Sequence, residues 1–250
     1  MAAVSVIAHR GASAYAPEHT FDAYDLALAM GAGAIELDVR ESGGELVVQH
    51  DRTRARVARD PLALGEVLAR YSRATRYWVE LKDPTPAAER ALVAEIERHR
   101  LRDRVTLQAF DRASLRRLGR LDRTLPRVAL LREAADATSA RRRIALAGRG
   151  VRGVGPCVDA VDARVVDAAH ARAMTVQPYT VNDAAEMERL VHLGVDGIFT
   201  DAPDVLVDVL GSVRTGRRDT SRWSGCRLPA RAGESASRSV HTAGRSSRTP

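Results

Sequence analysis

Residues 34–39 read Ala-Ile-Glu-Leu-Asp-Val, and residues 77–82 read Tyr-Trp-Val-Glu-Leu-Lys. Both are short runs rich in β-branched, aromatic or aliphatic residues, so both read as strands. Each nevertheless carries ionisable side chains at its carboxyl end. Side chains alternate in direction along a strand, so Glu36 and Asp38 share one side, as do Glu80 and Lys82. Leu37 and Leu81 then face the helices. Three carboxylates and one ammonium converge, as they would at the mouth of a parallel barrel.

Outward from these two strands the pattern repeats. Strand-like runs lie at Val4–Ala8, Leu46–Gln49, Val105–Phe110, Arg127–Leu131, Thr175–Val181 and Gly197–Thr200. Helical spacing separates most of them. Phe21, Tyr24 and Leu28 share a face of Phe21–Met30, Leu92, Val93 and Ile96 group within Ala87–Arg98, and Met187, Leu190 and Val191 do so within Asp183–His192. Alternating strands and helices at this length imply a parallel sheet, and eight strands imply a TIM (β/α)8 barrel. An open doubly wound sheet is the competitor, but no Gly-rich phosphate loop follows any strand.

Two more strand ends carry chemistry. Strand one runs into His9-Arg10-Gly11, and strand three into His50-Asp51. Three carboxylates in one place repel one another, and a hard divalent cation resolves this. Oxygen-only ligation by Glu36, Asp38 and Glu80 suits Ca²⁺ or Mg²⁺. His9 and His50 can give and take protons near pH 7. Arg10 and Lys82 suit an anionic substrate such as a phosphate ester. Lys82 is the one lysine in a chain with 39 basic residues, which favours a role for its compact ammonium. The bland alternative, ion pairs plugging a barrel end, is weakened by so many charges at matched strand ends.

The chain has 250 residues, 45% of them hydrophobic and 28% charged, and a net charge of +7. Residues 211–250 hold nine arginines against Asp219 and Glu234, so the excess charge lies there and residues 1–210 are neutral. A basic nucleic-acid-binding body is therefore not indicated. Residues 1–210 read as one barrel domain and 211–250 as a disordered Arg/Ser-rich tail, open to weak contact with an anionic membrane. Two distant cysteines, Cys157 and Cys226, exclude a disulfide framework and a cysteine zinc site. With no apolar run of membrane-spanning length and no secretory start, a cytoplasmic protein is expected. Oligomeric state is not legible.

Taken in order, these pieces resemble the glycerophosphodiester phosphodiesterase family. The matching segments are His9-Arg10-Gly11, Pro17-Glu18-His19-Thr20, Glu36-Leu37-Asp38-Val39, Val48-Gln49-His50-Asp51, Glu80-Leu81-Lys82, Gln108-Ala109-Phe110-Asp111, Tyr179-Thr180-Val181-Asn182 and Gly194 to Asp201. The resemblance implies a TIM barrel that hydrolyses glycerophosphodiesters to glycerol 3-phosphate and an alcohol. It implies that Glu36, Asp38 and Glu80 hold the metal, that His9 and His50 are the acid/base pair, and that Arg10 and Lys82 hold the phosphate. Phe110 and Tyr179 either line the mouth or are plain core aromatics, Glu18 either orients a histidine, the preferred reading, or pairs with an arginine, and His19 is placed beside the substrate or just behind it.

Three features depart from that family's pattern. His19 stands where the family usually has Asn. Ala173 stands after a helix where the family often has Gly. Only 28 residues separate Asp51 from Glu80, so the insertion after the third strand, which covers the mouth in the family, is expected to be nearly absent. The alternatives are a lysophospholipase D-like lipid phosphodiesterase, a non-catalytic binding protein on the same barrel, and an RNA-binding protein acting through its tail.

Overall fold

Six helices start on a residue that caps them. Thr20 accepts the Ala23 N–H at the head of α1 (Phe21–Ala29), and Thr85 accepts that of Ala88 at α3 (Pro86–Arg98). Asp111, Asp136, Asp162 and Asp183 do the same for α4 (Arg112–Leu121), α5 (Ala137–Ala145), α6 (Ala163–His170) and α7 (Ala184–Leu193). Each such cap contributes about 1 kcal/mol and fixes where a strand-to-helix turn ends. The remaining helices are α2 (Leu64–Tyr71) and α8 (Pro203–Thr215). The computed structural model describes residues 4–51, 60–132, 136–148 and 150–215.

The strands are β1 (Ser5–Ala8), β2 (Ala34–Ser42), β3 (Glu45–Val48), β4 (Arg76–Leu81), β5 (Val105–Ala109), β6 (Arg127–Leu130), β7 (Val151–Gly155), β8 (Thr175–Val176) and β9 (Gly197–Thr200). Eight of them pair in parallel in the order β8-β7-β6-β5-β4-β2-β1-β9. Backbone bonds from Asp196 to Val176, Phe199 to Pro178 and Val181 to Phe199 bring the two ends together. This is the expected TIM barrel, with one strand exchanged. The third expected strand, Leu46–Gln49, is not in the barrel. It pairs antiparallel with the end of β2, Val39 opposite Val48 and Ser42 opposite Glu45. The two-residue turn Gly43-Gly44, with φ of +61° and +86°, makes it a hairpin. The barrel strand missing from the sequence reading is β7, whose glycines hid it. A Cβ at Gly153 would lie 2.4 Å from Thr175 Oγ1, so close strand contact demands that glycine.

Two layers of side chains follow from the register. Inside the barrel, Ile7, Ala34 and Phe199 form a buried cluster with Trp78 and Tyr179 against it, the Trp78 ring edge-on to Phe199 at 5.2 Å. On the outer surface, Leu37, Val39, Val79, Leu81 and Leu107 join the core beneath the helices. The cross-strand partners Asp38, Glu80 and Gln108 form a row towards the carboxyl end, above the apolar plug.

The helix α8 runs to Thr215, past the expected boundary at residue 210, and Val213 packs on the core. An apolar residue every turn was enough to continue the helix despite the change in composition. The rest of the expected tail, 216–250, lies outside the described residues. Among those described, no helix is long and apolar enough to cross a membrane.

Ala173, after α6, has φ of +53°. That left-handed conformation suits glycine and strains a Cβ. Ala173→Gly should therefore stabilise the fold by about 0.5–1 kcal/mol, net of the entropy glycine adds to the unfolded chain. The shift in urea midpoint at constant slope measures it; a lower midpoint would contradict the argument.

Candidate active site

The i, i+2 step that built the carboxylate pairs also builds the rest of the site. Along β1 it carries Ile7 to His9, and along β9 it carries Phe199 to Asp201. His9 and Asp201 meet, His9 Nδ1 lying 2.8 Å from Asp201 Oδ1. Ser13 Oγ donates to the same oxygen at 2.7 Å, and Asn182 Nδ2 donates to Asp201 Oδ2 at 2.8 Å. A carboxylate accepts only, so Nδ1 carries the proton and His9 Nε2 keeps its lone pair. Burial pushes the His9 pKa below the ordinary imidazole value, although the bond to Asp201 pulls the other way.

Across the mouth, one oxygen from each of Glu36, Asp38 and Glu80 lies within 4.8 Å of the others, and all three residues are buried. Asp38 Oδ2 lies 3.0 Å from Arg10 Nε and 3.1 Å from His19 Nε2, while Asp38 Oδ1 faces Lys82 Nζ at 3.0 Å. Lys82 Nζ also donates to Glu80 Oε2 at 3.0 Å. Glu36 accepts from the Arg10 N–H at 3.2 Å and from Gln108 Nε2 at 3.1 Å. Arg10 reaches inward from a left-handed backbone, φ +59°. Gly11 beside it is obligatory, since φ is +87° and a Cβ would lie 2.7–2.8 Å from Ala23.

The charges do not balance. Burial opposes ionisation of Asp38, but the bond from His19 and the charges of Arg10 and Lys82 outweigh it and hold its pKa well below the usual range. Burial and neighbouring Asp38 instead push Glu36 well up, and burial raises Glu80. Lys82 touches two of three carboxylates and leaves the third short of positive charge. Gln108 Oε1, beside Glu36, has no hydrogen-bond partner among the described residues. Three carboxylates against the two cations Arg10 and Lys82 leave an oxygen-only donor set short of positive charge, which fits a hard divalent cation.

His50 follows β3, and its carbonyl accepts from Arg40 Nε at 2.9 Å. Arg40 also pairs with Asp83, just beyond β4, so the hairpin end is tied to the strand that carries Glu80 and Lys82. His50 Nδ1 lies 2.9 Å from Asp51 Oδ1. Burial, and then the charge of Arg10, lower its pKa.

Of the two roles expected for Glu18, the structure shows the pair with an arginine. Its carboxylate pairs with Arg10 Nη1 at 2.9 Å, and the part of orienting a histidine falls to Asp201. A short side chain leaving the loop at residue 18 meets the long guanidinium from residue 10 first. Tyr179 and Phe110 meet edge to face at 6.1 Å, Tyr179 donates to Leu131 O at 2.6 Å, and the Arg132 guanidinium lies 4.9 Å over the Phe110 ring. Asp201, Asn182, Ser13 and Gln108 were given no role from sequence. The signal for Asp201 was present, because it stands two residues beyond Phe199 at a strand end. The cover expected to be missing falls on residues 52–59, outside those described.

A model of the glycerophosphoryl diester phosphodiesterase family matches residues 9–70 and 71–205. A glycerophosphodiester phosphodiesterase of Bacillus subtilis is 30% identical, over 81% of this chain and 85% of its own. A protein of solved structure from Silicibacter pomeroyi has the same fold, with a TM-score of 0.74 and 25% identity over 85% of this chain and 94% of its own. A phosphodiesterase of Oleispira antarctica, solved with its product sn-glycerol-3-phosphate, superposes with a TM-score of 0.71 at 23% identity, covering 83% of this chain and 97% of that one.

Proposed function

This chain belongs to the glycerophosphoryl diester phosphodiesterase family and hydrolyses glycerophosphodiesters to glycerol 3-phosphate and an alcohol, and we propose that His9 and His50 divide the proton transfers. The observation that carries the division is the 2.8 Å pair between His9 Nδ1 and Asp201. It leaves His9 Nε2 as the acceptor, in the manner of a histidine held by a buried carboxylate. His50, tethered on the opposite hairpin, is then the donor.

In this reading Arg10 and Lys82 hold the phosphate oxygens. His9 Nε2 takes the proton of the glycerol 2-hydroxyl as that oxygen attacks phosphorus. His50 gives its proton to the departing alcohol oxygen. The roles then reverse. His50 removes a proton from water, water opens the cyclic phosphate, and His9 returns its proton to the 2-oxygen. The family is metal-dependent, and Glu36, Asp38 and Glu80 are the residues that would hold the ion, Mg²⁺ or Ca²⁺. That ion would neutralise phosphoryl charge and lower the pKa of a bound hydroxyl. A substrate lacking the glycerol 2-hydroxyl tests the scheme. Its hydrolysis should be at least about 100-fold slower, the contribution expected of a lost acid/base step. Unchanged turnover would require direct attack by water.

The alcohol side has less to grip. Only eight residues, 52–59, separate Asp51 from Asp60, which leaves little chain to close over that side of the mouth. Exposed contacts contribute about 0.5 kcal/mol each. Specificity constants for choline, ethanolamine and glycerol esters should therefore agree within about tenfold, or about 1.4 kcal/mol. Kinetics on the three esters measure this. A preference above about a hundredfold would place selection at the rim formed by Phe110, Arg132 and Tyr179. The proposal keeps the cytoplasmic location expected from the sequence, and weak anionic-membrane contact through 216–250.

A further inference from the structure

His19 is buried, 7% exposed, and both of its ring nitrogens are engaged. Nδ1 lies 2.9 Å from the Tyr24 hydroxyl and Nε2 lies 3.1 Å from Asp38 Oδ2. Its backbone is left-handed, φ +57°, and its N–H donates to Arg10 O, so the turn that delivers the ring is closed on itself. The role of Nε2 follows from its partner. Asp38 is a carboxylate and accepts only, so Nε2 carries hydrogen and donates. Nδ1 and the Tyr24 hydroxyl, 2.9 Å apart, make the second hydrogen bond of the ring. The ring is thus held at both ends, by Tyr24 and by Asp38.

This chain of bonds distinguishes the two oxygens of Asp38. Oδ2 is occupied by His19 and by Arg10 at 3.0 Å. Oδ1 is turned to the cluster, where Lys82 Nζ meets it at 3.0 Å. We propose that His19, locked by Tyr24, is a positioning residue that makes Asp38 a one-oxygen metal ligand and thereby biases the site towards Mg²⁺ over Ca²⁺. The inference rests on the metal-site reading above and adds to it a determinant of metal choice. The physical basis is the different demand of the two ions. Mg²⁺ requires near-octahedral geometry with one oxygen at each vertex. Ca²⁺ accepts one or two oxygens from a carboxylate in a looser shell. A carboxylate with one oxygen bonded to the His19 ring and faced by the Arg10 guanidinium can serve the first geometry and is hindered in the second. An asparagine at position 19 could still donate to Asp38, but it has no ring nitrogen for Tyr24 to hold.

Calorimetric titration of the full-length, substrate-free protein with MgCl₂ and separately with CaCl₂ tests this. Partners that orient a metal ligand change affinity about 10- to 100-fold. His19→Ala should weaken Mg²⁺ binding at least about tenfold while Ca²⁺ binding changes less than about threefold. Tyr24→Phe should move the Mg²⁺ to Ca²⁺ ratio in the same direction by a smaller factor, and His19→Asn should lie between it and His19→Ala. Thermal melts monitor the fold of each variant. A structural role alone would lower stability and both affinities together, and leave their ratio fixed. An unchanged ratio in both Tyr24→Phe and His19→Asn overturns the proposal even if His19→Ala does not fold. Absence of metal binding by the wild-type protein would instead overturn the metal-site reading, and this inference with it.

Discussion

His9→Ala is expected to lower turnover at least about 100-fold, and His50→Ala to do the same, because each removes one of two obligatory proton transfers. Asp201→Asn should be at least as severe, up to about 10⁴-fold, as for other carboxylates that orient a catalytic histidine. The amide can donate where the carboxylate can only accept, so it favours the wrong His9 tautomer. The pH profile carries the sign of the argument. His9 must be neutral to accept a proton, and burial sets its pKa below the ordinary 6.5. The specificity constant should therefore fall as pH drops through that lowered value. His50 must be protonated to donate, and burial and then Arg10 lower its pKa too. The constant should also fall as pH rises past it. The result is a bell with its maximum on the acid side of neutrality. His50→Ala should remove the alkaline limb and leave the acid limb. A variant at either histidine that keeps near wild-type rate would make that residue structural.

Loss of a carboxylate at the metal site should be as severe but leave the fold intact. Glu80→Gln keeps shape and removes one charge. Turnover and divalent-ion affinity should both fall by at least about 100-fold, the upper end of what outer partners of a metal contribute. Stability should not fall in the absence of metal. Burial already raises the Glu80 pKa, so the folded protein gains little from ionising it. Lys82 keeps its contact to Asp38 Oδ1 at 3.0 Å. A melting temperature well below wild type would show that Glu80 serves mainly as an ion-pair partner of Lys82.

Much of this site was legible because period-two alternation is a rigid rule. Glu36, Asp38, Glu80 and Lys82 had to converge once their segments were strands. Other parts depended on partners remote in sequence. The bond between His9 and Asp201 spans 192 positions, and although Asp201 stands at a strand end, nothing near it names His9 as its partner. The two-sided engagement of His19 needed the positions of both Tyr24 and Asp38. Among the strands, β7 was hidden because its fit comes from glycines pressed against a neighbour rather than from β-branched side chains. The hairpin strand β3 was misplaced although Gly43-Gly44 signalled a tight turn; an eight-strand total reached without β7 left no reason to question it. Helix α8 passed residue 210 because packing of Val213 on the core, not composition, decides where it ends.

Release of glycerol 3-phosphate from glycerophosphocholine by the full-length protein, measured after chelation to a metal-free state and again after metal is restored, tests the central claim most directly. The account predicts no turnover above background in the stripped protein and recovery on adding Mg²⁺ or Ca²⁺, with no comparable recovery in Glu80→Gln at the same metal concentration. Full activity in protein shown by elemental analysis to hold no divalent ion would contradict it.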